Sequence, residues 1–524
     1  MKIKNTLPLI LVSMLLGSCS GVTSIDSKDS GNTSIESNES TESKSDESID
    51  STTSTTSTQP KPTKVEIDFW HTFGQGIEGG ISPYVEKFQQ LVKRNEGVDV
   101  TINLSKEGAY SDIHTKIING FGAGNVPTIA VAYPDHVADY LEIKKEYVQD
   151  LDVYINNDEV GFGKEAYLGD ISGNTVYGED DFISVFLDEG KNYNYSGTYS
   201  IPFMKSTEVM FYNLNMIRRA LRIHKPQIAG NDLRIKEYMN SLTWNELFEL
   251  ASIIKTHKSD VAPRMEYPVF YDSDGNLFIS QLYQRGIGYS SYDNNRKPVI
   301  DFERQSEFNK VVSFLDELRY LHSEGLLTTK GTYGQYSSYS FADEKCAFAI
   351  GSSGGAGYND PQSDAFELGV APVPYTNERK FVTQGVTLTI LRNPKYSNEE
   401  NDAKCLYAWK FIKYLTNPDN DAGLCIEDSQ GYVPVRESAY ESDEYIEFLN
   451  DDESVFNLTA KVVMEINSEG ENAYINTPVF KGSAYLREQC GSAIARLLKA
   501  DETGEVITTT GVLNDVISNS KAHF

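Results

Sequence analysis

The sequence predicts an α/β protein with a mainly parallel sheet and more than one core, carried behind an exported leader. Three observations point there. Short segments of period-two hydrophobicity alternate with helical stripes from residue 64 onward. Hydrophobic residues make up 39% of the chain and aromatics 11%, more than a disordered protein contains. The stretch from residue 64 to residue 524 is also longer than one core usually holds.

In chain order, Lys2 and Lys4 precede an apolar run from Leu7 to Leu16 that is too short to span a bilayer. Leu16-Gly17-Ser18-Cys19 follows, so residues 1–18 read as a signal peptide. The last four residues resemble the lipobox of bacterial lipoproteins, which implies a lipid on Cys19 and makes the leader a lipoprotein signal. Residues 19–63 form the tether. From Ser20 to Thr63, Ser and Thr dominate, aromatics are absent, and eight acidic residues stand against three lysines. Such a segment cannot bury enough apolar surface to offset its ordering entropy, and as a flexible coil it reaches roughly 35–40 Å.

Lys64–Trp70 and Val98–Ile102 alternate as strands. Between them Tyr84, Val85, Phe88, Leu91 and Val92 recur at helical spacing behind Ser82-Pro83, which predicts a cap and first turn there. Ile113, Ile117, Ile118 and Phe121 predict a second helix, and Thr128–Tyr133 a buried strand. Residues 161–200, rich in Gly, Tyr, Asn and Asp, read as a long surface excursion. Thr243-Trp244-Asn245-Glu246 is a capping box ahead of Leu247, Leu250, Ala251 and Ile254. Further stripes run through Phe308, Val311, Val312 and Leu315, and through Ala408, Trp409, Ile412 and Leu415, the latter stopped by Asn417-Pro418.

The charge excludes one class of function. Lys and Arg total 47 against 76 Asp and Glu, a net charge of -29, so the surface repels nucleic acid and anionic lipid. Five cysteines without a C-x-x-C pair exclude a disulfide-dense scaffold and a zinc ribbon. Cys346 and Cys405 lie in apolar runs as core thiols, while Cys425 and Cys490 are free to pair.

Three motifs suggest enzymes, and each has a plainer reading. Gly74-Gln75-Gly76-Ile77-Glu78-Gly79 fits a dinucleotide fingerprint, but Asp99 falls inside the second strand rather than at its end. The glycines there more simply let the chain turn and leave helix amides free for a ligand. Gly351-Ser352-Ser353-Gly354-Gly355 fits a nucleophile elbow, yet the one downstream histidine is His523, on a tail expected to be mobile. Asp272-Ser273-Asp274-Gly275-Asn276 hints at a calcium loop but lacks its glutamate, and reads as a hairpin turn. Neither a metal site nor a cofactor is expected.

A set of ordered segments carries the positive signal. These are Ile67–His71, Gly122–Ala130, Ile201–Asn213, Leu242–Leu247, Lys345–Ser352, Gly369–Pro374 and Gly431–Arg436. Their order resembles the extracellular solute-binding proteins of ATP-driven (ABC) importers, in the group that includes maltose- and glycerol-3-phosphate-binding proteins. The resemblance implies a two-lobed, periplasmic-binding-protein-like (class II) α/β fold, with hinge strands and a ligand cleft between the lobes. It places residues 64–205 with 372–435 in an N-terminal lobe, and 206–371 with 436–524 in a C-terminal lobe. Crossings would fall near Lys205–Phe211, near Glu367–Pro372 and after Arg436.

Ligand contacts carry over from the glycerol-3-phosphate-binding members. Trp70 and His71 end the first strand at the cleft edge, and Tyr110 matches a ligand tyrosine. Ser206 and Ser352 match ligand serines, and Gly385 matches a glycine that approaches through its backbone. Tyr432 lies in the Gly-Tyr-x-Pro motif, and Arg487 matches an arginine across a one-residue gap. The family's acidic ligand residue falls on Pro134 with Asp135 beside it, so that carboxylate is displaced or lost. Set against this, Trp70 has a packing reading and Tyr432 a role bracing the loop before Pro434.

The resemblance implies a lipid-anchored monomeric receptor outside the cytoplasmic membrane that performs no chemistry. It would take a small-molecule sugar or polyol and deliver it to ABC permease subunits, touching the membrane through its anchor alone and binding no nucleic acid. Few cations and many hydroxyl and aromatic candidates favour a neutral mono- or oligosaccharide over glycerol-3-phosphate or another polyol phosphate. A surface-tethered glycan hydrolase or adhesin is the reading from another class, since a catalytic carboxylate pair need only be close in space.

Overall fold

The computed structural model describes residues 62–164, 177–361, 365–426, 431–450 and 454–524. The leader, Cys19 and the tether up to residue 61 lie outside the described residues. The strands are β1 (Lys64–His71), β2 (Asp99–Lys106), β3 (Ile129–Ala132), β4 (Ile201–Asn213), β5 (Val269–Tyr271), β6 (Ser290–Tyr292), β7 (Pro298–Ile300), β8 (Leu327–Thr329), β9 (Phe348–Ser352), β10 (Leu368–Pro372), β11 (Phe381–Ile390) and β12 (Tyr474–Ile475). The main sheet runs β2-β1-β3-β11-β4-β9-β5-β8, with β10 on β4 and β12 on β11, while β6 and β7 form a separate ribbon.

The two flanks of this sheet are parallel, as the alternating sequence predicts: β1 with β2 and β3, and β5 with β8 and β9. Its centre is antiparallel, because β11 and β4 run against each other, β11 runs against β3, and β4 runs against β9 and β10; only the short β12 is parallel to β11. β4 is buried along its whole length, and its charged members Lys205 and Glu208 are each held by a partner there. Its first half pairs with β11 and its second half, from Glu208, pairs with β9. One strand therefore belongs to both halves of the molecule.

Helices cover both flanks. Helix Gln75–Glu96 turns Ile77, Ile81, Val85, Phe88, Leu91 and Val92 inward, toward helix Asn398–Leu415. On the other side, helices Asp274–Gln284, Gln305–Ser323, Ser483–Thr503 and Thr509–Lys521 pack together. The capping box forms as read, with Thr243 Oγ1 accepting from the Glu246 amide and the Glu246 carboxylate accepting from the Thr243 amide.

Several local expectations change. The first helix starts at Gln75, not at Ser82-Pro83, and Pro83 sits inside it. Burial of Ile77 and Ile81 carries the helix back past the proline, outweighing the lost hydrogen bond. The glycines do not serve a turn: Gly74, before the helix, has ordinary extended geometry, and side chains at Gly79 and Gly80, inside it, would meet open space. The Asp272–Asn276 segment is no hairpin but a helix start, with Ser273 capping the Asn276 amide. Residues 177–200 are not a surface excursion. They bury Phe182, Val185, Phe186, Tyr193 and Tyr199 against the body, while 165–176 lie outside the described residues. The C-terminus packs as a helix, and the His523 ring stacks on Tyr485 at 3.8 Å. Cys346, Cys405, Cys425 and Cys490 are all buried free thiols, so Cys425 and Cys490 form no disulfide.

Candidate functional site

A cavity of about 350 Å³ opens where β4 changes partners. Its floor is sheet: Lys205 and Ser206 from β4, Ser352 from the end of β9, and Val382 to Gly385 from β11. Tyr133, Pro134 and Asp135 enter from the start of helix Pro134–Ile143. Ser273, Asn276 and Ile279 enter from the start of helix Asp274–Gln284, and Ser483 and Arg487 from the first turns of helix Ser483–Thr503. Loop residues Glu189, Tyr289, Tyr432 and 476–479, with Ile475 from the end of β12, complete the wall. A pocket beyond sheet ends, ringed by helix starts and loops, is where α/β proteins place ligands.

Local backbone explains the floor. A β-bulge falls between Gly385 and Val386, and Gly385 has φ +91°. A side chain on Gly385 would stand 2.6 Å from the Met204 carbonyl and 2.7 Å from Lys205 Cα, so only glycine lets β11 approach β4 there. Ser352 Oγ donates to Ser206 Oγ at 3.3 Å and accepts from the Gly354 amide. The Gly-x-Ser-x-Gly stretch serves packing: a Cβ on Gly354 would lie 2.9 Å from the Tyr432 ring, and one on Gly431 2.1 Å from the Ser353 carbonyl.

Tyr432 is held by its loop. Val433 exchanges both backbone hydrogen bonds with Lys205. Asp421 accepts from the Val435 and Arg436 amides at 2.7 and 3.0 Å. Arg436, 2% exposed, donates to the Thr416 and Gly178 carbonyls and lies 3.6 Å over the Phe182 ring. On the other side of the wall the Tyr110 and Tyr133 rings meet at 4.4 Å, and the Tyr110 and Tyr432 hydroxyls share a hydrogen bond. Burial pushes the phenols of Tyr110, Tyr133 and Tyr432 up, so all three are neutral hydroxyls.

The charges in the cavity are largely balanced. Lys205 and Glu189 form a buried pair at 2.6 Å. Among the described residues no carboxylate pairs with Arg487, and Asp135 Oδ1 is buried without a hydrogen-bond partner. Behind the floor Glu208 accepts from Tyr271 at 2.5 Å and Asn276 at 3.3 Å, and burial pushes its carboxyl up to about 7.

Of the residues singled out in the sequence, Asp135, Ser206, Ser352, Gly385, Tyr432 and Arg487 line this cavity. Tyr110 stands one layer behind, against Tyr133 and Tyr432. Trp70 and His71 are not on the wall. Trp70 is half-buried against the core. His71 is wholly buried, its Nδ1 accepts from the Phe73 amide, and burial lowers its pKa. Asp135, the acid next to Pro134, lines the cavity. Sequence reasoning missed Glu189, Asn276, Tyr289, Gln384 and residues 475–479. Gln384 adjoins the noted Gly385, whereas Glu189 sits in a segment without periodicity. No group of three or more His, Cys, Asp or Glu among the described residues could hold a metal ion, and no described helix is long and apolar enough to cross a membrane.

The model of a bacterial extracellular solute-binding protein family matches residues 84–452. No curated protein matches the chain by sequence. Among solved structures, UgpB from Mycobacterium tuberculosis with glycerophosphocholine is 17% identical, covers 88% of this chain and 98% of its own, and has a TM-score of 0.60. An ABC substrate-binding protein from Listeria monocytogenes with cycloalternan is 15% identical, covers 88% and 99%, and scores 0.62. The GacH receptor of Streptomyces glaucescens, solved unliganded and with acarbose, is 16% identical, covers 88% and 98%, and scores 0.59.

Proposed function

We propose that this chain, which belongs to the bacterial extracellular solute-binding protein family, captures a neutral mono- or oligosaccharide and delivers it to an ABC permease. Proteins of this family bind solutes and are not enzymes, so the mechanism is conformational. Lobes of roughly 64–205 with 372–435, and 206–371 with 436–524, close on the ligand, which stabilises the closed form by touching both. In this reading Cys19 carries the lipid, residues 19–63 tether a monomer to the outer face of the cytoplasmic membrane, and Tyr432, Asp135, Ser206, Ser352 and Arg487 contact the sugar.

The observation that carries the reading is the cavity's chemistry: aromatic rings beside hydroxyls and amides, with its charges nearly compensated. Apolar sugar faces suit the rings, and hydroxyls suit the polar groups. The volume equals that of about a dozen water molecules, a scale of one or two sugar rings. Neighbours solved with cycloalternan and acarbose support the same class. The neighbour with glycerophosphocholine makes a phosphate ester the second reading. Against a monoester such as glycerol-3-phosphate, a dianion needs concentrated positive potential, and here Lys205 is already paired and Arg487 shares its cavity with Asp135.

The test is a thermal-shift screen and titration with saccharides, polyols and phosphate esters at low and high salt. We expect a saccharide to raise the melting temperature with little salt dependence and no turnover. Tight, strongly salt-dependent binding of glycerol-3-phosphate, abolished by Arg487→Ala, would replace the ligand class.

A further inference from the structure

We propose that Gln384 reads ligand hydroxyls from the cavity floor, acting with Asp135 so that the site admits donor-rich neutral saccharides and turns away phosphate esters. The inference rests on the saccharide reading above and names the group that enforces it. Gln384 stands opposite Ser206 in the β11–β4 pair, and Ser206 in turn bonds to Ser352. A row of polar side chains thus crosses three strands at the place where β4 changes partners. The bulge at the next residue re-aims β11, which is the usual work of a bulge beside a binding site.

Three buried oxygens in the cavity residues lack a hydrogen-bond partner among the described residues: Gln384 Oε1, Asp135 Oδ1 and the Tyr289 hydroxyl. An unpaired buried acceptor costs free energy until a donor reaches it. The terminal torsion of glutamine is soft, so a small turn of its amide presents the oxygen to the cavity. Gln384 Oε1 and the Asp135 carboxylate only accept, while the Tyr289 hydroxyl can also donate. A sugar hydroxyl supplies the missing donor. The glycerol hydroxyls of glycerol-3-phosphate can supply a donor as well, but its phosphate adds further acceptors and a charge that Asp135 repels. Sites built to bond a particular donor discriminate strongly against ligands that lack it.

The test is calorimetry on the whole chain with maltose, cellobiose and glycerol-3-phosphate, and with monodeoxy derivatives of the better-bound disaccharide. Gln384→Met removes the acceptor at similar size, and Gln384→Leu is measured the same way in case the first fails to fold. We expect about a tenfold loss of affinity for the parent sugar in the variant. One deoxy derivative should bind the unmodified protein about tenfold more weakly and lose nothing further in the variant, while the others show the full loss. Affinity within twofold of the unmodified protein, or an equal loss with every derivative, would overturn the role of Gln384 and leave the saccharide reading standing. Binding of glycerol-3-phosphate with no disaccharide bound would overturn both.

Discussion

Glu208 lies on the strand shared by the two halves, fully buried, with Tyr271 and the cavity residue Asn276 as its donors. Its folded-state pKa is about 7 against an ordinary 4.5. Between those values the unfolded chain releases a proton that the folded chain keeps, so this group's contribution to stability falls as pH rises through the window and is level above it. The ceiling is about 3 kcal/mol. Urea unfolding of the unmodified protein and Glu208→Gln at pH 5 and pH 8 should show the variant gaining relative stability at pH 8. A difference independent of pH would mean that Glu208 does not titrate. Asp421, also held near 7 by burial, is present in both proteins and cancels. At this scale the sequence was informative where a residue sits in a recognisable run, as Ser206, Ser352, Gly385 and Tyr432 do. It misled at His71, because alternation tells which side chains turn inward but not whether they meet a cavity or a core. Glu189 was invisible, since its partner Lys205 is sixteen residues away across an irregular stretch.

Among elements, the loop bearing Tyr432 depends most on a single anchor. Arg436 ties 431–438 to the end of helix Asn398–Leu415, to Gly178 and to the Phe182 ring, with Asp181 at 3.7 Å and Asp421 beside it. Removing one member of such a buried network leaves its partners uncompensated, so Arg436→Ala should cost about 3–5 kcal/mol. Denaturant midpoints measure that loss. Saccharide affinity should fall as well, because Tyr432 loses its fixed position; unchanged stability would show that the loop is held by its backbone alone. Helices and strands with a buried face were legible from periodicity. The start of helix Gln75–Glu96 was not, since Pro83 is a strong local stop signal and only the packing of Ile77 and Ile81 overrides it. The same limit hid the helix at Asp274, whose capping Ser273 resembles a turn residue.

For the whole molecule, the α/β class followed from alternating periodicities, but the antiparallel centre did not. Strand direction depends on which distant segments meet, and β4 and β11 lie far apart in sequence. The anchor belongs to this scale too. If Cys19 bears the lipid, Cys19→Ala should release the protein from membranes into the soluble fraction, and label from a fatty-acid precursor should vanish. A protein that stays membrane-bound and labelled would refute it. The four buried thiols have a practical consequence. Burial pushes Cys405 up to about 12 and raises Cys346, Cys425 and Cys490 as well, leaving them inert toward alkylating dyes. In the Cys19→Ala background, a cysteine replacing the exposed Tyr336 offers a single address for a fluorophore. If the lobes close on ligand as proposed, the protein then becomes a reagentless optical sensor, with that closure as the signal.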